Sequence, residues 1–225
     1  MSRSPQALAP AINPSLSRTG SGPGPAAAGR LNPPPFSICV YCGSRTGLAE
    51  SFVQAARDVG RWIGARGGQL VYGGGNAGLM GILADATLAA GGTVIGVIPQ
   101  ALVDKEYAKH DCTELHVVAS MHDRKRIMAE RAGAFLALAG GIGTLEELFE
   151  AWTWRQLGYH AKPVGILDTA GYYAPLLDFL RSSVAHGLMN DWQMDLVRIA
   201  GEPEPLLQAL VDESTPASAQ DLSQI

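Results

Sequence analysis

Phe135-Leu-Ala-Leu-Ala-Gly-Gly-Ile-Gly-Thr-Leu-Glu-Glu147 is the stretch on which the fold turns. An apolar run of strand length, Ala134–Leu138, meets Gly140, Gly141 and Gly143. A helical pattern follows, in which Leu145, Leu148, Phe149 and Trp152 recur at i, i+3, i+4 and i+7. Strand, glycine turn and helix make the first half of a βα unit. Glycines there let backbone amides approach an anion at the positive end of the helix. Thr144 is placed to cap that helix. Glu147 falls one turn further on and off the apolar stripe. Two readings of it stay open: a carboxylate beside the sugar of a phosphate-anchored ligand, or, with Glu146 and Glu150, a solvated acidic turn favoured by the helix dipole.

Outward from this stretch the alternation repeats. Further strands are predicted at Ser37–Tyr41, Gln69–Tyr72, Val94–Ile98, Glu114–Val118, Val164–Leu167 and Val197–Ile199. Helices are predicted at Leu48–Arg66, Gly78–Ala90, Met121–Ala132, Thr144–Leu157, Tyr172–His186 and Pro203–Val211. Strands taking turns with helices imply a Rossmann-like, doubly wound, mostly parallel sheet with helices on both faces. Ligands of such sheets bind beyond the carboxyl ends of the strands, so the strand-to-helix loops are the places to search.

Three more of these loops carry chemistry. Cys42-Gly-Ser-Arg-Thr-Gly47 follows the first strand and brings Gly43 and Ser44. Tyr72-Gly-Gly-Gly-Asn-Ala-Gly-Leu-Met-Gly81 follows the second and brings Gly74 and Gly75. Neither is a Walker A loop, and neither fits G-x-G-x-x-G with an acidic residue some twenty positions on, which excludes the standard P-loop and NAD assignments. Met121-His-Asp-Arg-Lys-Arg-Ile-Met128 opens a helix with cations that oppose its dipole. Either an anionic ligand gripped by Arg124 and Lys125 offsets that cost, or Asp123 and Glu130 on the same helix do.

Composition bounds what remains. With 225 residues, 47% of them hydrophobic, the chain suits a single α/β domain. A net charge of −4 argues against nucleic acid as a partner. The longest weakly polar run, Ala132 to Gly143, is too short to span a membrane. Cys39 and Cys42 form a C-x-x-C, but in an apolar strand and its exit rather than at a helix start, and no second C-x-x-C completes a metal site. They read as reduced thiols, with Cys112 beside scattered histidines as a third, which predicts a cytoplasmic setting. Residues 1–35 hold eight of the 14 prolines and no acidic residue, and Arg3, Arg18 and Arg30 give them +3. Such a tail is expected to be disordered, with a single domain over 36–212 and a polar tail over 213–225.

Taken in order, Gly73-Gly-Gly-Asn-Ala-Gly-Leu-Met-Gly81, Met121-x-x-Arg124-Lys125, Gly140-Gly-x-Gly-Thr-x-x-Glu147, Thr153-Trp-x-Gln-Leu-Gly158 and Lys162-Pro-Val-Gly165 resemble the Lonely Guy family of cytokinin-activating phosphoribohydrolases. The likeness covers residues 36–190. It implies hydrolysis of an N6-substituted adenosine 5′-monophosphate to free base and ribose 5-phosphate, without metal or organic cofactor. It also implies a homodimer with its site near the subunit interface, to which Trp152, Trp154 and Tyr159 are candidate contributors. By position it implies Arg124 and Glu147 as the catalytic pair. Nucleotide contacts fall to Gly43, Ser44, Gly74, Gly75, Glu106 (in Asp104-Lys-Glu-Tyr107), Met121, Lys125, Gly140, Gly141, Ile142, Gly143, Thr144 and Thr153. The older label of lysine decarboxylase for such proteins is discounted, since nothing suggests a lysine kept for a pyridoxal Schiff base. Ala139 stands where the family usually has proline, which implies a less stiff loop. A general purine nucleotide (AMP) nucleosidase, or a non-catalytic nucleotide or molybdenum-cofactor carrier, would share the fold. Arg124 together with Glu147 favours an enzyme, because a carrier has no need of a carboxylate beside the ribose.

Overall fold

The computed structural model describes residues 33–214 except Tyr107. The expectations for the two tails therefore concern residues outside the described ones, save 33–35 and 213–214. Seven strands, β1 (Ser37–Tyr41), β2 (Gln69–Tyr72), β3 (Thr93–Pro99), β4 (Glu114–Val118), β5 (Ala134–Ala137), β6 (Val164–Leu167) and β7 (Val197–Ala200), form one parallel sheet. Their order is β4-β3-β2-β1-β5-β6-β7. The chain thus winds outward from β1 in one direction and, from β5, in the other. The switch point lies between β1 and β5, where the ligand crevice of an open α/β sheet belongs.

The helices are α1 (Glu50–Ala65), α2 (Gly78–Ala89), α3 (Gln100–Glu106), α4 (Met121–Arg131), α5 (Ile142–Gln156), α6 (Ala174–Ala185), α7 (Asp191–Met194) and α8 (Pro203–Asp212). Side chains alternate across the strands, so the sheet feeds two cores. Ile38, Val40 and Cys42 face α1, α2 and α8, whereas Cys39 and Tyr41 face α4, α5 and α6. Cys39 and Cys42 therefore pack in different cores, and neither is in a disulfide.

Three expectations need correction. The helix expected from Thr144 begins at Ile142, with Gly141 at its N-cap and no side-chain cap. Thr144 is instead the third helical residue, buried, its hydroxyl tucked against Gly140, where an added Cβ would lie 2.1 Å from Oγ1. The helix expected from Tyr172 is split into a 3₁₀ turn, Thr169–Gly171, and α6. The two short helices α3 and α7 were not anticipated, because seven and four residues are too few to show a period.

Candidate functional site

At the switch point the loops after β1 and β5 are joined by backbone. The Gly43 amide donates to the Ala139 carbonyl (3.0 Å), and the Leu138 amide to Tyr41 (2.9 Å). The Leu79 amide, in the first turn of α2, donates to the Gly43 carbonyl (3.0 Å) and draws the β2 loop alongside. Above these strand ends opens a cavity of about 610 Å³. Gly43, Ser44, Gly140, Gly141, Ile142, Gly143, Thr144, Arg124 and Glu147 all line it. The amides of Ile142, Gly143 and Thr144 precede the first intrahelical bond of α5, Leu145 N–H to Gly141 (3.0 Å). The first turn of α5 holds no acidic residue. That end of α5 is thus a set of amide donors without a competing anion.

Arg124 reaches this cavity from α4 and is only 7% exposed. Its Nε donates to the Val97 carbonyl (3.1 Å) and its Nη2 to the Gly73 carbonyl (3.3 Å). A Cβ at Gly73 would lie 2.1 Å from Nη2, so any larger residue there must displace the guanidinium. The remaining arm, Nη1, lies 3.6 Å from Glu147 Oε1. Both side chains are largely buried, 8% and 12% exposed. Burial and, second, the negative charge of Glu147 push the Cys42 thiol up, so this part of the cavity wall is a neutral thiol.

The cations that open α4 find protein partners. Ser120 caps the helix, accepting from the Asp123 amide (3.0 Å). Arg126 pairs with Glu130 (2.7 Å) and, more loosely, with Asp123 (3.8 Å). Lys125 is clamped between Glu146 (2.7 Å) and Glu150 (2.8 Å) of α5. Same-helix pairing therefore describes Arg126, while Lys125 crosses to the neighbouring helix.

Gly74, Gly75, Met121, Lys125 and Thr153 are not among the lining residues. Gly74, with φ +77°, accepts at its carbonyl from the Lys109 amide (3.0 Å), and Gly75 bridges to Ala108. Met121 begins α4, its sulfur 3.9 Å from Arg124 Nη1. Thr153 is exposed late on α5, and Glu106 ends α3. Arg45, Leu48, Phe52, Met80 and Tyr172 line the cavity without having been singled out. Leu48 and Phe52 had a signal, apolar positions four apart just past the first loop, whereas Tyr172 had none. No group of three or more His, Cys, Asp or Glu side chains placed to hold a metal ion occurs among the described residues, the His and Cys scatter near residue 112 included.

The class defined by this fold and site is a Rossmann-like α/β protein whose ligand cavity, floored by a buried Arg–Glu pair, opens at the switch point of the sheet. A family model described as "Possible lysine decarboxylase" matches residues 80–210. The cytokinin riboside 5′-monophosphate phosphoribohydrolase of Rhodococcoides fascians is 42% identical over 189 residues, covering 84% of this chain and 96% of that one. Arabidopsis thaliana LOG1, which carries the same enzyme name, is 44% identical over 175 residues, covering 78% and 82%. Among solved structures, the Moco carrier protein from Chlamydomonas reinhardtii matches with a TM-score of 0.58 at 25% identity, covering 78% of this chain and 94% of that one. The chain belongs to the family of cytokinin riboside 5′-monophosphate phosphoribohydrolases, the one covered by that family model. The decarboxylase wording does not suit the cavity. A pyridoxal Schiff base needs a lysine amine, and none is among the lining residues. Lys109 is held by Asp85 and Asp111, Lys125 by Glu146 and Glu150, and Lys162 by the Ala129 carbonyl. No described helix is long and apolar enough to cross a membrane.

Proposed function

We propose that the protein hydrolyses the N-glycosidic bond of N6-prenylated adenosine 5′-monophosphate, releasing the free base, a cytokinin, and ribose 5-phosphate. The observation that carries this reading is the buried Arg124–Glu147 pair in the cavity, with Glu147 one helical turn beyond the open amides of α5. The names of the relatives support the same reaction. The 5′-phosphate sits on the amides of Ile142, Gly143 and Thr144. A helical turn of about 5.4 Å then brings the ribose to Glu147. As the C1′–N9 bond breaks, its electron pair passes to the base, which takes up a proton, and positive charge grows on the ribose ring. The Glu147 carboxylate stabilises that charge and takes a proton from the water that adds its oxygen to C1′. Arg124, fixed by two carbonyls, anchors substrate oxygens so that binding energy orients the reacting bond. Three free cysteines fit a reducing cytoplasm. Ile142, 86% exposed on the cavity rim, fits a homodimer that covers it, and dilution of such a dimer lowers specific activity.

The test is ribose 5-phosphate release from AMP and from isopentenyladenosine monophosphate by wild type and Glu147→Gln. Turnover of the prenylated nucleotide, reduced about 10²–10⁴-fold in the variant, is expected. Turnover of AMP alone means a purine nucleotide nucleosidase instead. Binding of either nucleotide without release means a carrier.

A further inference from the structure

The segment that feeds α5 is poor in intrinsic order. Gly140 and Gly141 are adjacent, and Ala139 before them leaves φ unrestricted, so this turn loses much chain entropy when it is held still. Yet its three successive carbonyls all accept a hydrogen bond. Leu138 accepts from the Tyr173 hydroxyl (2.7 Å), Ala139 from the Gly43 amide (3.0 Å) and Gly140 from the Tyr172 hydroxyl (2.6 Å). Two of the three donors are neighbouring side chains from the connection after β6, far along the sequence. That connection is itself specialised. Ala170 has φ +55°, the one non-glycine with positive φ among the described residues, and Gly171 follows at +71°. A left-handed alanine is strained by its Cβ, and such strain persists where the surroundings impose it. The surroundings here include Asp168, which accepts from the Tyr173 amide (2.6 Å). The two tyrosine rings then stand at 82°, centroids 5.0 Å apart, and their hydroxyls diverge to carbonyls two residues apart.

We propose that Tyr172 and Tyr173 are positioning residues, which lock the turn before α5 by holding the Leu138 and Gly140 carbonyls and so preset the amides that donate to the phosphate. The proposal rests on the phosphate placement in the hydrolase reading above. Its logic is geometric, because the peptide unit is planar and trans: a carbonyl held in one direction sends the next amide in the opposite one. Fixing the Gly140 oxygen therefore fixes the Gly141 N–H and, with it, the plane of the peptide that leads directly into the Ile142, Gly143 and Thr144 amides. A hydroxyl on that oxygen also neutralises a lone pair that would otherwise repel an anion at the cavity wall, which Tyr172 lines. Burial pushes the Tyr173 phenol well up, so it remains a donor throughout the working pH range. Tyr172 keeps its ring edge-on to Phe52 (5.5 Å) whether or not it bears a hydroxyl, so Tyr172→Phe removes the bond and spares the wall.

The experiment is calorimetric binding of AMP, ribose 5-phosphate and adenosine to the full chain as wild type, Tyr172→Phe and the Tyr172→Phe/Tyr173→Phe double variant. Thermal unfolding is recorded on the same samples. Tyr172→Phe is expected to weaken AMP and ribose 5-phosphate about five-fold, the effect of one ordinary hydrogen bond, with adenosine within two-fold and the unfolding temperature little changed. The double variant is expected to weaken the two phosphate ligands roughly twenty-fold. Should the buried Tyr173 substitution unfold the chain, the half-exposed Tyr172 variant decides alone. Phosphate-ligand affinities within two-fold of wild type overturn the proposal, as does an equal loss for adenosine, which would make the tyrosines ordinary wall. A wild type that binds neither phosphate ligand overturns it too. Because the readout is binding, a chain that holds AMP without cleaving it still decides the matter, while separately refuting the hydrolase reading.

Discussion

Two ionic clusters span the same pair of helices, α4 and α5, and are built from neighbours in sequence. Arg124 faces Glu147, and Lys125 faces Glu146 and Glu150. The outer cluster is tight, at 2.7 and 2.8 Å, with Glu146 half exposed. The inner one is buried and longer, at 3.6 Å, and its arginine is anchored by the Val97 and Gly73 carbonyls. The difference teaches how two adjacent cations on one helix come to be held in two ways. A lysine that has collapsed onto two carboxylates is a strut between helices. A guanidinium held by two backbone carbonyls keeps its place 3.6 Å from the carboxylate beside it, in the lining of the cavity.

The largest effects should come from the inner cluster. Arg124→Lys keeps the charge but loses the planar fork that reaches Val97 and Gly73, and Gly73→Ala pushes the guanidinium aside. Each is expected to lower kcat/KM for nucleotide hydrolysis about 10²-fold, about 2.7 kcal/mol, read as ribose 5-phosphate release. A loss under three-fold in both would break the contrast.

Comparable in size is a tie between α5 and the segment that leads into β6. His160 is buried, with Nε2 donating to the Ala151 carbonyl of α5 (3.0 Å) and Nδ1 accepting from the Lys162 amide (3.1 Å). Two such partners admit only the neutral ring. Burial, with the nearby Lys162 charge second, pulls its pKa down to about 4. Between about pH 6.5 and 4 the unfolded chain binds a proton that the folded chain refuses, so stability falls as pH falls, and the loss is complete below about 4. Wild type is expected to lose roughly 2–4 kcal/mol more than His160→Gln across that window, measured by urea unfolding. Parallel curves for the two proteins would remove this tie.

The smallest effect belongs to the outer cluster. Lys125→Met should cost about 0.5–1 kcal/mol of stability, partly screened at high salt, and only a few-fold in kcat/KM. A hundred-fold loss of activity would place Lys125 in the site with Arg124 and erase the distinction drawn here.

Much of the fold was legible because its information is local. The shift between strand-length runs and a 3.6-residue period marks all seven strands within about one residue and the six longer helices within about two, and α6 also shows where periodicity fails. Tyr172 and Tyr173 read as helix, whereas a left-handed Ala170 ends the register before them. Glycines mark the loops that line the cavity, and at Gly140 a side chain would strike Thr144. Arg124 and Glu147 were legible as candidates, and the resemblance to a family attached roles to them. Arg124's anchors were not legible, for they are carbonyls 27 and 51 residues away, and a carbonyl has no sequence signature. The Tyr172 hydroxyl on Gly140, 32 residues off, was hidden for the same reason.

The sequence by itself determined which segments are strands and helices, which of their faces are apolar, and that the glycine-rich turns fall at strand ends. These follow from the spacing of side chains along a chain of fixed local geometry. Only the tertiary structure decided that β1 and β5 lie side by side, so that the Gly43 and Gly140 turns meet. It also decided which of two adjacent glutamates faces the cavity. Glu146 and Glu147 sit about 100° apart on α5, and the position of α4 brings Lys125 to one and Arg124 to the other. Partner choice of this kind depends on distances between segments remote in sequence, which are set when both faces of the sheet are packed.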